Sequence, residues 1–308
     1  MIELEQEFAN VALPADTYIS VGVFDGVHAG HRHLLELLVN RAREANCVPC
    51  VVTFRNNPRT VLDQELAIST LTPIAERTRL LYELGIEIVA PITFTRKVSE
   101  GTADEFMTLL QDRLRMRGLV VGPDFALGHN RQGTPDYLQT LGAQRGFSVT
   151  VADFLLQGGT RVSSTLIRDT VARGDLASAA QYLGRCFSIL GDVVHGEGRG
   201  GSQLGYPTAN LSVEPTQALP SDGIYSAWAY VGDRRFQTAI SIGVRPTFGS
   251  GNTRTVEAFL LDFEGDLYGE IVRLEFVQRL RDELAFTSTE ALRNQIAKDV
   301  EDTRRVLG

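Results

Sequence analysis

The apolar residues of this chain change their spacing once, near residue 184, and that change limits the fold more than any other feature. Before it, short apolar runs at 18–24, 50–54, 86–91, 118–122 and 147–151 read as strands. Between them lie stretches with helical spacing. One runs over 30–45, with Leu34, Leu35, Leu37 and Leu38 on one side. A second opens at Thr72-Pro73, with Thr72 as N-cap and Pro73 as the first helical residue. A third runs from the T-x-x-E box of Thr102 and Glu105 to about residue 117, and a fourth opens at Thr134-Pro135. Strands alternating with helices imply a parallel sheet covered on both faces.

Beyond residue 184 the apolar residues alternate with period two, most clearly at 272–276 and also at 224–231, 236–242 and 255–261. Turn residues separate these runs: Ser221-Asp222-Gly223, Gly232-Asp233 and Glu264-Gly265-Asp266. A last helix is predicted over 287–306, with Thr287 and Glu290 as its capping pair. The expected second half is therefore a β-barrel or compact antiparallel sheet with one helix. No flexible linker marks the boundary, which is placed at 184–188.

A length of 308 residues suits two domains. Lys and Arg number 30 against 38 Asp and Glu, a net charge of −8. No block of five like charges occurs, so duplex nucleic acid and anionic membranes are not expected as partners. No run of 18 apolar residues occurs, and the first seven residues are acidic where a secretion signal is basic. With three cysteines and no disulfide framework, a soluble cytoplasmic protein is expected.

Gly22-Val23-Phe24-Asp25-Gly26-Val27-His28-Ala29-Gly30-His31 joins a strand to a helix through a glycine-bearing turn. A helix N-terminus at the edge of a parallel sheet offers free N–H groups and a positive dipole end, which suit phosphate. His28 and His31, three apart, can both face one ligand and stabilise charge developing on phosphorus. The loop is neither a Walker A loop nor a dinucleotide G-x-G-x-x-G; it matches the H-x-G-H signature of nucleotidylyltransferases. The competing reading is a metal site built from His28, His31, His33, Cys47 and Cys50, but the spacing is not that of zinc sites. Cys47 and Cys50 are expected to be structural.

Three further segments stand out. Arg161, Ser163, Ser164, Thr165 and Arg168 combine hydroxyls and positive charge at a helix start; taken alone this reads as a plain N-cap, and after a fifth parallel strand, with the histidine pair at the first, it suits a triphosphate. Asp124, at the end of the fourth strand, is either a ligand contact or a turn residue. Six glycines lie between Gly191 and Gly205, ahead of Tyr206-Pro207-Thr208-Ala209-Asn210. They make either a mobile hairpin or a loop over phosphate. Thr208 and Asn210 offer oxygens on alternate residues, enough to hold Mg²⁺ with phosphate oxygens. Glu257, in the apolar run Val256, Ala258, Phe259, Leu260, is either exposed on an outer face or placed to take a proton from an alcohol.

Taken in order, these segments resemble the bacterial bifunctional riboflavin kinase/FMN adenylyltransferase (FAD synthetase) family over about 15–305. The resemblance rests on G-x-F-D-G-V-H-x-G-H at 22–31, V-G-x-D-F-x-x-G at 121–128, S-S-T-x-I-R at 163–168 and L-G-R at 183–185. It continues through L-G-Y-P-T-A-N-L at 204–211, D-G-I-Y at 222–225, R-P-T-F at 245–248 and V-E-x-x-L-L-D-F at 256–263. It ends with D-L-Y-G at 266–269 and L-R-x-E-x-x-F at 280–286. It implies a doubly wound nucleotidylyltransferase domain over 1–186 and a six-stranded antiparallel barrel with a terminal helix over 187–308.

The resemblance also implies two reactions with ATP as co-substrate and Mg²⁺ as cofactor. The second domain would phosphorylate riboflavin to FMN; the first would adenylylate FMN to FAD and release pyrophosphate. Glu257, His28 and His31 carry over as catalytic residues. Gly22, Phe24, Asp25, Gly30, Asp124, Arg161, Ser163, Ser164, Thr165 and Arg168 carry over as the adenylyltransferase's nucleotide contacts. Gly196, Gly198, Arg199, Gly205, Pro207, Thr208, Asn210, Tyr225 and Arg281 carry over to the kinase, with Thr208 and Asn210 holding the metal.

The chain departs from the family pattern where Pro-His-Pro is usual; here the segment reads Arg55-Asn56-Asn57-Pro58. Phe259 stands where a histidine is frequent, and Cys186 where proline is common. Alternatives are a monofunctional riboflavin kinase with a weakened adenylyltransferase site, and a flavin-binding regulator without turnover. A class I aminoacyl-tRNA synthetase also carries H-x-G-H, but this chain is short, acidic and without a Lys-rich second motif.

Overall fold

The structure is a computed structural model, and it describes residues 2–9, 11–195, 206–245 and 253–308. The chain forms two compact units, Met1–Ile68 with Pro73–Ser163 and Ser69–Thr72 with Ser164–Gly308.

In the first unit, β1 (Thr17–Val21), β2 (Val48–Phe54), β3 (Ile88–Ile92), β4 (Met116–Val121) and β5 (Ser148–Val151) form one parallel sheet in the order β3-β2-β1-β4-β5. Side chains alternate between its faces. Ile19, Val21, Cys50, Val52, Leu119 and Val121 pack in one core with α1 (Ile2–Phe8), α6 (Ala103–Leu114) and α7 (Pro135–Arg145). Val51 and Val120 pack in the other, with α2 (Ala29–Glu44) and α4 (Ile74–Glu83). Both faces are covered, as the alternation of strands and helices predicts. The chain leaves β1 toward β2 on one side and returns to β4 on the other. The carboxyl end of β1 is thus a switch point, where ligands of such sheets bind.

Local signals set the helix ends. Thr102 and Glu105 form a reciprocal capping box at α6, and Thr134 caps α7. Helix α6 stops at Leu114, short of the expected 117, because Arg115 turns into the left-handed region and Met116 already belongs to β4. At α4 the expectation is off by one residue: Pro73 is itself the cap, with no side-chain hydrogen bond to the helix. Two short helices that the apolar spacing does not show, α3 (Pro58–Leu62) and α5 (Arg96–Ser99), are capped by Asn57 and Thr95.

In the second unit, α8 (Ser164–Ala172) and α9 (Leu176–Leu183) precede a closed antiparallel barrel. Its strands are β8 (Phe187–Val194), β9 (Ala209–Val213), β10 (Gly223–Val231), β11 (Arg234–Arg245), β12 (Thr253–Leu260) and β13 (Ile271–Arg281). They close in the order β10-β11-β12-β9-β8-β13. The remaining pair, β6 (Leu156–Gln157) and β7 (Thr160–Arg161), is a small hairpin in the first unit. Inside the barrel lie Phe187, Leu211, Tyr225, Ile240, Val256 and Phe276, with Ala227, Ala229 and Ala258 filling the narrow interior. The last helix, α10 (Thr289–Leu307), packs on β10, β11 and β13. Its cap is Ser288, whose Oγ accepts from the Ala291 N–H at 3.1 Å, one residue after the expected Thr287. Among the described residues no helix is long and apolar enough to cross a membrane.

Candidate functional site

Two sites emerge, one in each unit. The first is the turn from β1 into α2. Gly26 has φ 87°, and Phe24 and Val27 adopt positive φ of 49° and 40°, a region costly for side-chain-bearing residues. The turn delivers His28 as the N-cap of α2, where its Nδ1 accepts the His31 N–H at 3.3 Å. An accepting Nδ1 carries no proton, so the His28 ring presents its N–H from Nε2. The two imidazoles stack, with ring centres 3.6 Å apart and planes 16° apart. Phe24 meets His31 edge-on at 5.2 Å. Gly30 leaves room for the His28 ring, which a Cβ there would approach at 3.2 Å. His28 is buried, as is Asp25. Two donor rings and the start of a 16-residue helix therefore converge at the switch point.

Asp124 and Arg161 join in an exposed ion pair at 2.5 Å, and the Arg161 guanidinium covers the Phe154 ring at 3.9 Å. Asp124 lies beside Gly122, at the end of β4. Ser164 and Thr165 open α8, and Arg168 Nε donates to the Ser69 carbonyl at 2.6 Å, all within the second unit. The segment after β2 is occupied by local bonding. Asn56 exchanges hydrogen bonds with the Phe94 backbone, and Asn57 Oδ1 caps α3.

Cys50 is fully buried in the sheet, and burial pushes its thiol up to about 12. Cys47 and Cys186 are also free thiols raised by burial. No group of three or more potential metal-binding side chains occurs among the described residues.

The second site lies on the outer wall of the barrel. Val256, Ala258 and Leu260 point inward, so Glu257 and Phe259 point outward. The outward face is not open water: a cavity of about 320 Å³ lies there, bounded by β11, β12 and α10. Glu257 lines it beside Thr208, Ser241, Phe259, Arg281 and Glu283. Glu257 therefore stands on the outer face and lines a cavity at once. Thr208 Oγ1 donates to Glu257 Oε2 at 3.2 Å. Asn210 stands directly opposite Glu257 in the β9–β12 ladder and shares its face. A hydroxyl, an amide and a carboxylate form an all-oxygen donor set that fits Mg²⁺. Thr208 also lines a second cavity of about 210 Å³, with Pro207, Phe263, Asp266 and Tyr268.

Arg281 lies on the first cavity but is committed to Asp299 of α10 through paired bonds of 2.8 and 2.6 Å. Tyr225 is not on either cavity. It is fully buried in the barrel, and its hydroxyl donates to the Ser221 carbonyl at 2.5 Å. Gly196, Gly198, Arg199 and Gly205 lie outside the described residues. Residues absent from the sequence-derived set include Glu283, Ser241, and Leu292, Ile296 and Val300 of α10. Glu283 stands in the L-R-x-E-x-x-F segment, from which only Arg281 was taken. The helical residues carried no chemical signal.

Comparison with known proteins follows the same division. The FAD synthetase family model matches residues 11–166, and the riboflavin kinase family model matches 183–307. The bifunctional riboflavin kinase/FMN adenylyltransferase of Escherichia coli (strain K12) is 36% identical over 292 residues, 94% of this chain and 92% of that one. The protein of that name from Pseudomonas fluorescens is 37% identical over 286 residues, covering 92% and 91%. That of Listeria monocytogenes is 31% identical over 287 residues, covering 93% and 91%. A crystal structure titled as a macrolide-efflux protein from Streptococcus pneumoniae superposes with a TM-score of 0.86 at 29% identity, over 96% of each chain. With both family models in this order and relatives of this identity along its length, the chain belongs to the bifunctional riboflavin kinase/FMN adenylyltransferase family.

Proposed function

We propose that this chain makes FMN and then FAD, consuming one ATP in each step. The domain over 187–308 phosphorylates riboflavin, and the domain over 1–186 adenylylates FMN. The position of Thr208 carries the kinase reading: it bonds Glu257 and lines both cavities. The larger cavity, with Tyr206, Phe259, Leu292 and Ile296 on its walls, suits a flat aromatic ring. The smaller one, reached past Thr208, suits the nucleotide.

Glu257 accepts the proton of the ribityl 5′-hydroxyl as its oxygen attacks the γ-phosphorus of ATP; the bond to the β-phosphate oxygen breaks and ADP leaves. Thr208 orients the carboxylate. Thr208 and Asn210 would hold Mg²⁺, which when bound neutralises charge on the transferring phosphate.

In the first domain, the FMN phosphate is already a nucleophile. It attacks the α-phosphorus of a second ATP, and pyrophosphate leaves. No strong base is required, so catalysis is alignment and stabilisation of charge. His28 and His31 supply N–H donors to that charge at the α2 N-terminus, and Asp124 and Arg161 contact the nucleotide. The chain acts in the cytoplasm, with no nucleic acid or membrane partner.

The test is a time course with riboflavin, ATP and Mg²⁺, the flavins being separated by chromatography. FMN appearing first and FAD later supports both sites. FMN without FAD, even when FMN is supplied, reduces the chain to a kinase. Flavin binding without ATP consumption makes it a regulator.

A further inference from the structure

The mechanism above leaves one buried guanidinium among the described residues unused. Arg77, in the first turn of α4, is 3% exposed, yet a guanidinium cannot escape the cost of burial by losing its proton. Its contacts run toward the adenylyltransferase turn. Nη1 donates to the Phe54 carbonyl at 2.7 Å and reaches Thr53 Oγ1 at 3.4 Å, both at the carboxyl end of β2. The Thr53 hydroxyl donates in turn to the Val23 carbonyl at 3.0 Å, in the turn itself. Asp25, also 3% exposed, is close enough for its charge to oppose the fall that burial imposes on the Arg77 pKa.

The turn needs bracing. Phe24 and Val27 both hold positive φ without being glycine, and such conformations persist only where surrounding contacts over-determine them. Its far end is His28. We propose that Arg77 is a positioning residue for FMN adenylylation. Through Thr53 and Asp25 it holds the 23–27 turn in the shape that presents His28 and His31 to the nucleotide. This role rests on the reading of the first domain given above.

The test uses the full chain as wild type, R77M, R77K and T53V. FAD formation from FMN is measured for kcat and for the KM of ATP. Riboflavin phosphorylation and thermal unfolding are measured on the same preparations. R77M is expected to lower kcat for FAD by about 100-fold and to raise the KM for ATP, because small misplacements of reacting groups cost that much. R77K should recover part of the loss. T53V, nearly isosteric, should show the same joint change at roughly 3- to 10-fold. Riboflavin phosphorylation should stay within about twofold of wild type, since no kinase residue is touched.

A fall in kcat with an unchanged KM for ATP is what a fraction of unfolded molecules produces, and it overturns the role. If R77M does not fold, T53V decides: wild-type kinetics in it overturn the role too. A wild-type chain that makes no FAD overturns the reading of the site and the role together. A wild type that makes FAD no faster than R77M and T53V overturns the role alone.

Discussion

The carboxyl group of Glu283 lies directly against the Cα of Gly243, so that a Cβ at 243 would overlap both carboxyl oxygens. Gly243 follows Ser241 by two residues on β11 and shares its outward face, and Ser241 stands opposite Glu257. One missing side chain thus sets where a second carboxylate stands on the cavity that holds Glu257. G243A should push Glu283 outward. The overlap falls on the far end of a flexible side chain, so the fold should absorb it, and with Glu283 displaced on the cavity wall riboflavin should bind roughly 10-fold more weakly. Quenching of flavin fluorescence on titration measures it, and FAD formation from supplied FMN serves as the control.

E257Q keeps the shape of the side chain and its bond from Thr208 but removes the base. Riboflavin phosphorylation should fall by about 10²- to 10⁴-fold in kcat. Conversion of supplied FMN to FAD should be unchanged, because Glu257 plays no part in it. Steady-state assays of each half-reaction on one preparation give the answer.

H31A removes one of the two stacked rings without touching the N-cap side chain. Loss of one preorganised donor to developing charge typically costs about 10²- to 10³-fold, and FAD formation should fall by that much. The kinase should not respond. H28A should fall further and also loosen α2, since Nδ1 of His28 caps it.

The carboxyl group of Glu283 is raised above the usual range, first by desolvation and then by Asp222 and Glu257, with Arg281 opposing. A group raised on folding binds more protons in the folded chain. Its contribution to stability is therefore complete below the unfolded carboxylate pKa and is lost as pH rises through the folded value. E283Q removes this fall with rising pH, so its stability should gain on that of the wild type as pH rises from 4 to 7. Denaturant midpoints between pH 4 and 7 at roughly one-unit steps, read with the linear relation, test the sign.

Much of this was legible in the chain. The strands of the parallel sheet and the barrel announced themselves by period, because one set is buried on both faces and the other on one. The His28–His31 spacing and the glycines around it pointed to the α2 N-terminus. Other features were not visible. The caps at α4 and α10 moved by one residue, because Thr72-Pro73 and Thr287-Ser288 each offer two neighbouring solutions and packing selects one. Tyr225, taken as a ligand contact, points into the barrel because β10 places residues 225, 227 and 229 on its inner face. Glu283 and the α10 residues of the larger cavity depend on how a helix lies on a barrel, which no local spacing encodes. In the sequence Arg77 is one charge in a helical stretch, and only its burial singles it out.

The barrel closes on itself, with β13 bonded to both β8 and β10, so every one of its six strands has two neighbours. Such a ring has no free edge onto which an extended peptide can be stitched as an extra strand. Recognition on this wall falls to side chains that project from it and to the segments joining its strands. A single substitution at Glu257, Asn210 or Phe259 can therefore retune what the wall accepts without disturbing the backbone ladder that holds it.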